Sequence, residues 1–305
     1  MKTRLLFFII LLFTGCISNK RKFTEIGYFD ISKSDSTILF SYASSKEIPS
    51  SILEINIHNL KVKRVLAASN KFEFTNPIYS QDEKKIFFIA RNIQNVNDDK
   101  IGMCDLDGNN VKYLTNNHDD IIRIITSKYS NEIIYIKLNK ENKPIGMDIF
   151  SLDIGSRVSK NITESNLFGF FHLHELDSVH LLTHIVDGEN GGMFLINKQQ
   201  SPATKTRIVP VNNPRQLPEL YNNAVFHKKS NTLIFDAPYE IFSMDLDEKY
   251  AKKIYRNDNG IYFFTLKNNS PRILFVVNGE SNIYSMNLDG TDLKTIPVNI
   301  PSENK

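Results

Sequence analysis

A short phrase repeated six times constrains this chain more than any other feature. In each copy an apolar stretch runs into an Asx residue and the chain then turns back on itself. The copies are Ile52 to Asn56, Ile101 to Asp105, Ile149 to Asp153, Met193 to Asn197, Ile241 to Asp245 and Ile283 to Asn287. The closing column is Asn56, Asp105, Asp153, Asn197, Asp245 and Asn287, spaced by 49, 48, 44, 48 and 42 residues. An apolar run keeps step upstream of every copy, at 37–40, 85–88, 132–135, 178–181, 232–235 and 272–275. A period in the forties with several short strands per unit marks a β-propeller blade. The pattern predicts an all-β, six-bladed propeller of four-stranded antiparallel blades. Its expected limits are 25–70, 71–118, 119–165, 166–212, 213–257 and 258–300, followed by a tail at 301–305.

The second unit shows the expected strands best: A at 76–80, B at 85–91, C at 101–106 and D at 111–115. Phe87-Phe88-Ile89 and Ile273 to Val277 are continuously apolar. Successive strand side chains point to opposite faces, so such runs suit sheets covered on both faces. Asp107-Gly108 and Asp289-Gly290 read as type I′ hairpins, in which both central residues take φ > 0. The Asx column is expected to bond nearby backbone donors and hold the C–D hairpins. No stretch reads as a long amphipathic helix.

The first sixteen residues read as a removable leader. Lys2 and Arg4 precede an apolar run from Leu5 to Phe13, too short for the ~20 residues of a bilayer crossing. Leu12-Phe13-Thr14-Gly15-Cys16 resembles a lipobox, which makes Cys16 the expected lipidation site and new N-terminus. Residues 17–24 then form a basic tether. Ile17 follows the cysteine and no acidic run comes after it, so the expected place is a periplasm-facing lipoprotein of the outer membrane. Removing Lys2 and Arg4 lowers the formal charge of +3 by two, to +1. That small balance argues against a nucleic-acid partner. Cys104 is the only thiol besides Cys16, so intramolecular disulfide and zinc-ribbon chemistry are excluded. It reads as a small buried apolar residue.

Tyr79 to Phe88, Ile101 to Gly108 and Tyr113-Leu114-Thr115 together resemble the repeat of TolB-type propellers. Gln81 stands where that repeat has Pro, and Glu83 where it has Gly. The resemblance spans about 25–300 and implies the propeller fold. TolB carries an extra α/β domain ahead of its propeller. Only about eight residues separate Cys16 from the first blade here, so the family's partnership in the Tol–Pal system does not transfer directly.

The histidines are the one enzymatic lead. His172, His174, His180 and His184 lie within thirteen residues, and two His at i, i+2 can chelate a metal. Oligogalacturonate lyases resemble this fold and bind a metal through histidines, gathered from several blades; here the four lie in one hairpin. The repeat offers a packing alternative: it aligns His172 with Tyr79 and Phe226, and His180 with Leu39, Phe87 and Ile234. There is no Gly-x-Ser-x-Gly elbow, no His-Glu-x-x-His and no phosphate-binding Gly-rich loop. Asp187 to Gly192 lacks the ligand pattern of an EF-hand and reads as a B–C turn. The longer B–C loops, 95–99 and 139–143, are expected to frame a docking face.

These readings predict an envelope lipoprotein that binds a protein or glycan partner through its loops. It is not expected to be an enzyme or to carry a cofactor. The alternative is a metal-dependent polysaccharide lyase or related hydrolase.

Overall fold

The computed structural model describes residues 25–95, 97–116, 119–139, 146–164, 169–186, 191–200, 202–212 and 223–300. Cys16 and the leader, most of the 139–143 loop, residues 187–190 and the tail lie outside them. The described strands form six four-stranded antiparallel sheets, each built from consecutive strands. The blades span 26–66, 72–113, 121–161, 174–208, 224–256 and 261–297. The innermost strands, here called A, are Ile26–Ile31, Phe72–Tyr79, Ile121–Thr126, His174–Glu175, Ala224–His227 and Ile261–Leu266. Strand A of blade two begins four residues before the expected start, with a bulge between Thr75 and Ile78. Among the described residues the one helical piece is a 3₁₀ turn, Lys228–Ser230. No described helix is long and apolar enough to cross a membrane.

The continuous apolar runs explain where the core sits. In strand B of blade two, Ile86 and Phe88 pack toward blade one, while Phe87 and Ile89 pack toward blade three. In blade six, Ile273, Phe275 and Val277 face blade five, and Leu274 and Val276 face blade one. Each pair of neighbouring blades thus encloses its own apolar cluster, six in all. Cys104 belongs to the cluster between blades one and two, 1% exposed, and burial pushes its thiol up to about 12.

Among the described residues no strand is exchanged between the first and last blades, and side chains tie the two together. Asp35 Oδ1 accepts the Asn268 N–H at 2.7 Å, and its Oδ2 accepts the Asn269 N–H at 2.9 Å. The Asn268 amide returns a bond to the Ser32 carbonyl. Phe29 and Phe263 pack edge to face across the same seam.

The Asx column closes the C–D hairpins in two ways. Asn56, Asp153, Asn197 and Asp245 accept backbone N–H groups two or three residues on. Asp105 and Asn287 bond side chains instead, among them Lys85 and Arg272. In those two hairpins Asp107 and Asp289 take over the N–H of Asn109 and Thr291. The type I′ expectation fails here. Gly108 and Gly290 have φ of +83° and +87°, but Asp107 and Asp289 do not enter the positive region. The Gly108 N–H bonds to the Asp105 carbonyl and the Asp105 N–H to that of Asn109, the pattern of a three-residue loop with a glycine bulge. Glu83 also lies at positive φ, +54°, which explains why the TolB-type repeat favours glycine there.

Candidate functional site

Six innermost strands around one axis leave a channel, and the A–B turns guard one of its ends. That end opens into a cavity of about 540 Å³ lined by all six blades. Ile31, Ile78, Ile125, Val225 and Leu266 give it apolar walls. Its mouth carries Lys33 of blade one, Lys128 of blade three, Lys228 and Lys229 of blade five and Lys267 of blade six. Lys33 bonds the Gln81 carbonyl through Nζ, and its backbone N–H bonds Glu83. Burial, followed by nearby Arg272 and Lys294, outweighs Asp35 and lowers the pKa of Lys267. The acidic residues here are engaged: Glu175 accepts Ser127 Oγ at 2.9 Å, the Lys128 N–H at 2.6 Å and the Lys198 ammonium. Gathering lysines from four blades around a low-dielectric opening focuses positive potential on it.

Deeper in, the wall is built of ties between neighbouring A strands. Asp30 accepts the N–H of Tyr79 in the next blade at 2.9 Å. Asn76 accepts the Ile124 N–H at 3.1 Å and donates to the Ile124 carbonyl at 3.3 Å. Thr126 Oγ1 donates to the Tyr79 carbonyl at 2.8 Å. His172 and His174 belong to the same set, bonding the backbone of Ala224 and Phe226 in blade five. Burial raises the Asp30 pKa to about 6, against the pull of its two N–H donors and of Arg123. Burial lowers His174 to about 3 and His172 well below the ordinary imidazole range, so both rings are neutral.

The cavity ends at Arg123. Its guanidinium, 5% exposed, crosses from blade three to rings on blades one and six, with Cζ 4.3 Å from the Tyr28 centroid and 4.4 Å from that of Phe263. Among the described residues, Nε and Nη1 have no hydrogen-bond partner, and neither does His172 Nε2.

Strand pairing corrects the sequence alignment of the histidines. His174 pairs with Leu182, as Ile78 pairs with Phe87 and Val225 with Ile234. His172, two residues earlier, is therefore the counterpart of Arg123, not of Tyr79 or Phe226. His180 pairs with Asn197, as Lys85 pairs with Asp105 and Arg272 with Asn287. It begins strand B, two positions ahead of the packing rank of Leu39, Phe87 and Ile234. There its Nδ1 lies 3.0 Å from an Asp177 carboxylate oxygen. His184 is buried opposite Met193 with neither ring nitrogen partnered, and burial lowers it to about 4. The four are not gathered at one point: among the described residues no three His, Cys, Asp or Glu side chains are placed to hold a metal. In the loop 95–99, Asp99 turns inward, accepting the Ile121 N–H at 3.1 Å.

The sequence reading missed the lysine ring and Arg123. The signal for the lysines was present, because each follows strand A in its own repeat.

No protein-family model matches the sequence, and no curated protein does. Solved structures do match. TolB from Acinetobacter baumannii superposes with a TM-score of 0.66 at 11% identity, over 89% of this chain and 63% of that one. A gluconolactonase from Xanthomonas campestris gives 0.63 at 10% identity, over 85% of each chain. An oligogalacturonate lyase in complex with manganese gives 0.59 at 10%, over 91% and 77%. The chain thus has a TolB-like propeller fold, spans less than two thirds of the TolB chain, and shares its architecture with TolB and with two enzymes of different activity.

Proposed function

We propose that the chain is a periplasm-facing outer-membrane lipoprotein, anchored through Cys16, whose propeller binds an envelope protein or glycan without catalysis. The cavity mouth is the binding site. The observation that supports this is the convergence of Lys33, Lys128, Lys228, Lys229 and Lys267, from turns far apart in sequence, on one opening. A rigid ring fixes their backbone positions in advance, so binding has only side-chain freedom left to order. The test is capture of partners from solubilised envelopes by the chain and by a Lys128→Glu/Lys267→Glu variant. A partner retained by the first and lost from the second supports the reading; equal retention refutes it. The anchor is tested separately, by whether Cys16→Ser moves the protein out of the membrane fraction.

His172 and His174 line the same cavity, which keeps the metal-dependent lyase as the second reading. Metal analysis decides between the two. A stoichiometric ion lost in a His172→Ala/His174→Ala variant favours the lyase.

A further inference from the structure

We propose that the cavity floor is a specific site for a hydroxy-carboxylate, a sugar acid whose carboxylate meets Arg123 and whose hydroxyl meets His172. The inference rests on the cavity being the binding site, and it names the chemistry of the occupant.

Two buried groups of opposite character line the inner end of the cavity from neighbouring blades. Arg123 presents Nε–H and Nη1–H without acceptors, at 5% exposure. The faces of the Tyr28 and Phe263 rings against which the guanidinium lies offer no lone pair to these N–H groups. A buried unpaired charged donor is costly, and an entering carboxylate removes that cost through charge-assisted hydrogen bonds.

His172, at the same rank on the next blade, supplies the complement. One ring nitrogen bonds the Ala224 backbone, and Nε2 has no partner. In a neutral ring the nitrogen facing a carbonyl carries the proton, so Nε2 holds a lone pair. An acceptor beside two donors fits a molecule with a hydroxyl next to its carboxylate. A plain carboxylate offers His172 no donor, and a neutral sugar offers Arg123 hydroxyl acceptors but no opposite charge. The lysines at the mouth speed capture of the anion.

Two sources share this chemistry: a free sugar acid, and the terminal residue of an acidic glycan. Isothermal titration of the purified chain with D-glucuronate, D-glucose, succinate and a glucuronate-terminated disaccharide separates them. Glucuronate is expected to bind at least ten-fold tighter than glucose or succinate. Retained affinity for the disaccharide identifies a glycan end; loss of it identifies the free acid. Arg123→Gln is expected to weaken glucuronate at least ten-fold. Lys128→Ala, at an exposed position, should weaken it about three-fold and flatten the salt dependence, so the test does not hang on whether the buried variant folds. Absence of glucuronate binding, equal binding of glucose, or unchanged affinity in a folded Arg123→Gln protein overturns the proposal. Turnover of glucuronate would refute the non-catalytic reading and leave this site standing. A captured macromolecular partner without glucuronate binding would do the reverse.

Discussion

Replacing Gly108 by Ala tests how the blades are fitted together. Gly108 has φ of +83°, and a Cβ there would lie 1.8 Å from the Val65 carbonyl oxygen, on the outermost strand of the preceding blade. The left-handed conformation costs an alanine about 1 kcal/mol. Relieving the clash requires the outer strand of blade one to move by over an ångström, disturbing the cluster that includes Val65. Overpacking of that kind costs about 1–3 kcal/mol. Together these give about 2–4 kcal/mol, a fall in Tm of roughly 3–7 °C for a domain of this size. Gly290 meets the Ile254 carbonyl at 2.2 Å in the same setting and should behave alike. Gly155→Ala is the control, because an added Cβ meets only Asp153 Oδ1 at 3.5 Å; it should be near neutral. Gly108→Asn separates the two causes, since asparagine tolerates positive φ but keeps the clash. The assay is thermal and urea unfolding of all four variants. A Gly108→Ala protein as stable as wild type would refute the reasoning, and full rescue by Asn would refute the part assigned to close approach.

Acid should destabilise the fold below about pH 6.5. Unfolded chains protonate His172, His174 and His184 near that value, whereas burial holds the folded rings neutral. Asp30 and Asp99, both raised to about 6, oppose this by holding protons that the unfolded chain releases. At pH 5, about three protons set against two leave a loss of about 1–1.5 kcal/mol per pH unit, measurable by urea titration across pH. His184→Leu should stabilise by about 1 kcal/mol at pH 7, since both ring nitrogens lack partners, and by about 2 kcal/mol more at pH 5; an unchanged acid limb would contradict the assignment. Asp35→Ala removes two bonds across the closing seam and should cost about 2–3 kcal/mol, with hydrogen exchange rising first in blades one and six. Cys104 should resist thiol reagents in a Cys16→Ser chain until the protein unfolds, because it is buried and its thiol is pushed up to about 12; native labelling would place it at the surface.

Local chemistry carried the repeat and the strand order, because hairpins and two-faced apolar strands are decided by neighbours in sequence. The fourth blade was misaligned because its A strand keeps only His174 and Glu175 in regular pairing, which left few residues to set the register. The type I′ expectation failed because Asp-Gly suits either a two-residue turn or a bulged three-residue loop, and the Val65 carbonyl of the preceding blade lies against Gly108.

By itself the sequence determined that this chain is a ring of six like wedges, since each unit carries more apolar strand surface than it can bury alone. What the ring does with its axis was decided only in three dimensions. Lys33, Lys128, Lys267, Arg123 and His172 are unremarkable within their own repeats, and only closure through Asp35 and Asn268 brings them around one opening. Electrostatic focusing and an unmatched buried donor depend on distances through space, and a linear order of residues does not contain those distances.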